Sequence, residues 1–126
     1  MTMKTDMKSV RGLGSAHSGT HHFWMQRVTA TANVFLAIAF IIILIKAAGA
    51  DYEAAKALVA SPLVAIPMIL FVVSGIYHMH LGMQVIIEDY VHTENLKIPL
   101  VMGNKFFSIV IGLSCIYAVL TLSFGG

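Results

Sequence analysis

Residues 34–45 read VFLAIAFIIILI. The stretch sits inside a longer apolar run from Val28 to Ala50. Two more such runs follow. One covers roughly Pro62 to Ile87 and contains LVAIPMILFVVSGIY, and one covers roughly Phe106 to Phe124, FFSIVIGLSCIYAVLTLSF. Each has at least about 19 residues, enough for a helix to cross a hydrocarbon core of ~30 Å. The first run starts too late and is too long for a secretory signal, and no convincing small-residue cleavage site follows it. The expected fold class is therefore all-α. We expect a membrane protein with three transmembrane helices, at about 24–49, 62–89 and 104–124, forming a single domain over residues 1–126.

Composition agrees. Of 126 residues, 58% are hydrophobic and 11% charged, so a soluble form would expose large apolar patches. Mean hydropathy is +0.83. The formal net charge is only +2, and no basic run interleaves with aromatics, which argues against nucleic acid as a partner. A single cysteine, Cys115, cannot form an internal disulfide or a CxxC site.

Orientation follows from lysine and arginine. Lys4, Lys8, Arg11 and Arg27 precede the first run, and Lys97 and Lys105 lie between the second and third. The other side carries Lys46 and Lys56, offset by Asp51 and Glu53, and the tail SFGG has none. The positive-inside rule puts the N-terminus in the cytoplasm and the C-terminus outside.

Residues 1–20 read as a polar, basic arm. Thr20 is a candidate cap for the first helix, and Phe23 and Trp24 suit the membrane interface. The segments AAGADYEAAKALVAS and HTENLKIPLVMGN read as connections. Pro62 fits a first helical turn, and Pro67 suggests a slight kink. In the third helix Gly112, Ser114, Cys115 and Ala118 are expected to serve close helix packing.

The stretch HMHLGMQVIIEDYVH, His78 to His92, carries the candidate chemistry. On a helix Gly82 falls ~40° from His78, and Asp89 ~20° away and ~16 Å along the axis, while His80 points ~160° away. Ser74 lies one turn before His78. Small residues at both neighbouring turns leave room for something flat against the helix. Imidazole is the usual protein ligand of a b-type haem. The plainer role for a membrane histidine is a hydrogen bond to a neighbouring helix, because an unpaired polar group there is costly. That plainer role is the one expected of His80. The other histidines, His17, His21, His22 and His92, lie outside the three expected spans. A second axial ligand would then come from another subunit. Asp89 and Tyr90 close the helix, where a phenol can donate to a carbonyl oxygen or simply join the aromatic belt.

His78-x-x-x-Gly82, six residues, then Asp89-Tyr90 resembles the signature of the small hydrophobic membrane-anchor subunit, the D subunit, of succinate dehydrogenase, complex II. HHFWMQRVTATANV is similar to the same family's lead-in to its first helix. The resemblance covers nearly the whole chain and is generic in the third helix. It implies half of a heterodimeric haem-binding helical bundle. His78 would be one axial ligand of haem b, and the larger cytochrome b556-type subunit would supply the other. Ser74 and Gly82 would border the haem slot. Tyr90 would hydrogen-bond a ubiquinone carbonyl, with Asp89 in support. Arg27 would lie near the haem propionates or the quinone, and His21 near the propionates. As a plain positive-inside anchor, Arg27 has a simpler explanation too.

The implied partners are that cytochrome subunit, an iron–sulfur subunit, a flavoprotein subunit, ubiquinone and the lipid bilayer. The chain itself has no flavin fingerprint and no cysteine cluster for iron–sulfur ligation. The expected location is a bacterial cytoplasmic membrane, since no transit peptide is seen. Two alternatives stand beside this reading. One is a haem-free structural anchor, as in a fumarate reductase. The other is a small transporter subunit with His78, His80 and Asp89 as a proton path, disfavoured because the first and third helices look almost free of polar groups.

Overall fold

The computed structural model describes residues 18–125. The N-terminal arm up to residue 17, with Lys4, Lys8, Arg11 and His17, lies outside the described residues. Four helices follow one another: α1 Ser18–Ala48, α2 Tyr52–Ala60, α3 Pro62–Tyr90 and α4 Glu94–Ser123. Three of them, α1, α3 and α4, are long and apolar enough to cross a membrane, and no strand occurs among the described residues.

The connections are short, so successive long helices run antiparallel. Contacts show the register. Thr29 meets His78 and Gln26 meets Gly82, while His80 meets Asn104 and Ile76 meets Gly112. In both pairs one residue number rises as the other falls. α3 packs on α1 and on α4, whereas α1 and α4 do not approach each other. The long helices thus form a row with α3 in the middle. The short α2 sits across one end and touches all three.

In lipid the helices gain little from hiding apolar side chains, so packing and polar bonds must hold the row. Few residues are buried: Ala65, Leu81, Ile87, Val119, Thr29 and Ser108, with Gly112 beside them. On the α3–α4 side a Cβ on Gly112 would lie 3.5 Å from Ile76, so the two backbones come close there. On the α1–α3 side Phe40 stacks on Phe71 with ring centroids 5.0 Å apart. Of the four small residues expected to pack in the third helix, Gly112 does so, while Ser114, Cys115 and Ala118 face outward.

The helix ends depart from the sequence reading. α1 begins at Ser18 rather than near residue 24, so Thr20 lies inside the helix and caps nothing. α4 begins at Glu94 rather than near residue 104, and most of the segment read as a loop is helical. The reason is physical. Apolarity marks the part of a helix that meets hydrocarbon, while its backbone bonds can continue past that boundary. Pro99 costs one of those bonds but sits exposed, where its freed partner carbonyl can be solvated. The connection after α1 also holds more structure than a loop. Asp51 caps α2 by accepting from the Ala54 amide at 2.8 Å. Gly125, at φ 80°, takes the left-handed conformation just past the end of α4.

Candidate functional site

α3 carries two imidazoles on opposite sides, and each is tied to a different neighbour. His78 faces α1, with its Nδ1 3.0 Å from Thr29 Oγ1. Thr29 is buried, and its hydroxyl lies 2.7 Å from the Met25 carbonyl and 3.2 Å from that of Gln26. A hydroxyl has one proton, and a carbonyl can only accept. With the Thr29 proton on the shorter contact, to the Met25 carbonyl, Oγ1 faces His78 as an acceptor. In that arrangement His78 Nδ1 donates. Its ring is then the Nδ1–H tautomer, with a lone pair on Nε2. No hydrogen bond reaches Nε2 among the described residues.

Ser74, one turn before His78, donates to the Thr29 carbonyl at 3.3 Å. Gly82, one turn after, faces Gln26, whose Nε2 would lie 3.6 Å from an added Cβ. Both were expected to border a flat slot. Both lie on the stripe they share with His78, the face that packs on α1. The part of His78 left for a ligand is its Nε2 edge. One free imidazole nitrogen, oriented by a bond at the other, fits a single axial position of a haem. No group of three or more His, Cys, Asp or Glu that could hold a bare metal ion occurs among the described residues.

His80 faces α4. The Asn104 amide donates to the His80 carbonyl at 3.0 Å, which fixes the amide's orientation. The same nitrogen lies 3.1 Å from His80 Nδ1, so Nδ1 accepts and the proton sits on Nε2. This is the interhelical bond expected for His80.

The other candidates do not converge on His78. Arg27 lies ~160° around α1 from Thr29, is exposed, and holds its guanidinium over Phe23 at 5.0 Å from the ring centroid. His21 is exposed as well. The neighbouring His22 occupies the face directed at α3, about one ~20° step from Thr29. Asp89 and Tyr90 end α3, both exposed, with Tyr90 at 77%. Tyr90 stands ~18 Å along the axis from His78. The chain therefore presents two separate places, an imidazole within the bundle and a phenol with a carboxylate at one end.

The sequence reading missed a polar stripe on α1. His22, Gln26, Thr29 and Asn33 recur at helical spacing and share one face. His22 Nε2, Gln26 Oε1 and Asn33 Oδ1 are buried with no hydrogen-bond partner. In α4, Asn104 and Ser108 were missed as well. The view that the first and third helices lack polar groups is thereby corrected, as is the placing of His21 and His22 outside any helix. Counting polar residues by helical period inside the apolar runs would have found Thr29, Asn33 and Ser108, whereas His22, Gln26 and Asn104 lie just outside them.

The family described as succinate dehydrogenase/fumarate reductase transmembrane subunit matches residues 1–120. A succinate dehydrogenase hydrophobic membrane anchor subunit of Paracoccus denitrificans is 33% identical over 121 residues, 96% of this chain and 93% of that protein. The subunit of the same description from Rickettsia bellii is 32% identical over 116 residues, 92% of this chain and 93% of that protein. That of Rickettsia prowazekii is 26% identical, with the same coverage. No solved structure matches the chain significantly.

Proposed function

The chain belongs to the succinate dehydrogenase/fumarate reductase transmembrane subunit family, and from that premise we propose that it anchors a succinate:ubiquinone oxidoreductase, holds haem b through His78 and helps form the quinone-reduction site at Tyr90. The observation that carries the haem assignment is the Thr29–His78 bond. It holds the ring and leaves Nε2 with a lone pair directed away from α1. A hydrogen bond at the far nitrogen raises the basicity of a ligating imidazole. A haem bound there supplies a one-electron centre. One imidazole from this chain leaves the haem's other protein ligand to a partner chain. The larger cytochrome subunit would be that partner and would supply that ligand.

At the other place, Tyr90 donates its phenolic proton as a hydrogen bond to a ubiquinone carbonyl oxygen. That polarises the carbonyl and favours its reduction. Asp89 accepts from water beside it and keeps protons at hand. Quinone takes up two electrons and two protons to become quinol. The electrons come from succinate, oxidised in a flavoprotein subunit and passed through iron–sulfur clusters in a second soluble subunit. Exposure of Tyr90 and Asp89 supports access by quinone and by those partners. Arg27 serves either the propionates or the charge balance at the membrane face. The lysine and arginine distribution supports a bacterial inner membrane topology with the N-terminus cytoplasmic and the C-terminus periplasmic.

The same Thr29–His78 bond also favours a plainer reading, in which His78 only ties α3 to α1 and the chain is a haem-free anchor. Purifying the complex through a tag on this chain separates the two. Co-purification of a flavoprotein, an iron–sulfur protein and a b-type haem, with succinate-dependent quinone reduction, supports the proposal. An active complex without haem supports the plain anchor.

A further inference from the structure

We draw no further inference here: the strongest candidate, the polar seam that His22, Gln26 and Asn33 form on the α3-facing side of α1, belongs to the site already described around Thr29 and His78, and its unpaired atoms are sealed inside the chain where no ligand reaches them.

Discussion

Thr29 Oγ1 lies 3.0 Å from His78 Nδ1, and the Thr29 carbonyl accepts from Ser74 Oγ at 3.3 Å. One buried residue of α1 thus holds α3 at two successive turns. With its proton on the Met25 carbonyl, it also leaves Nε2 of His78 free to ligate. The haem assignment rests on that choice, because an imidazole ligates through a lone pair and donates through the other nitrogen.

Thr29→Val removes the acceptor while keeping the shape. Losing such an outer partner typically costs 10–100-fold in affinity. We expect haem retention to fall in that range, about tenfold or more, and the reduction potential of the remaining haem to rise as the imidazole becomes a weaker donor. Thr29→Ser should restore both. Haem titration and a redox titration followed optically check this. An unchanged potential in Thr29→Val would show that the bond only packs the helices.

His80 and Asn104 should behave differently. Asn104→Leu removes both bonds to His80 and should destabilise the α3–α4 contact by about 1 kcal/mol, the scale of interhelical hydrogen bonds in membranes. His80→Ala should leave the haem spectrum as it is. Thermal inactivation of the complex reads the first effect and an optical spectrum the second. A lost haem band in His80→Ala would mean the two imidazoles were assigned the wrong way round.

Tyr90→Phe removes a hydroxyl from an exposed ring and touches no packing. Quinone reduction should drop about tenfold, as expected for the loss of one well-placed hydrogen bond of ~1.4 kcal/mol. Subunit assembly and electron transfer to a soluble dye should be unaffected. Unchanged quinone turnover would remove Tyr90 from the site.

Gly112 tests the packing. A methyl there would meet Ile76 at 3.5 Å, an ordinary contact, so Gly112→Ala should be tolerated. Gly112→Leu has no such room and should destabilise the bundle by about 1–3 kcal/mol, the usual cost of overpacking. Yield of folded complex and its thermal inactivation temperature measure the difference.

The three long helices were legible because runs such as residues 34–45 have only one use in a bilayer. Their ends were not, because the residues around Ser18 and Glu94 are polar yet still helical. His78 was legible as an oddity in an apolar segment. Its partner was not, since threonine is unremarkable in a membrane helix and its match to His78 depends on the register of two helices 49 positions apart. The spacing around His78 did identify a special face. It could not say that Ser74 and Gly82 on that face also meet α1. Arg27 and His21 could be placed on α1 only once its rotation about α3 was known.

The central claim, that His78 holds a haem through Nε2, is tested most directly by one optical experiment. It compares dithionite-reduced-minus-oxidised spectra of the purified complex for wild type and His78→Ala. The account predicts a sharp low-spin b-type band in wild type that is lost in His78→Ala while the subunits remain assembled. An assembled wild-type complex with no such band, or a band unchanged in His78→Ala, would contradict it.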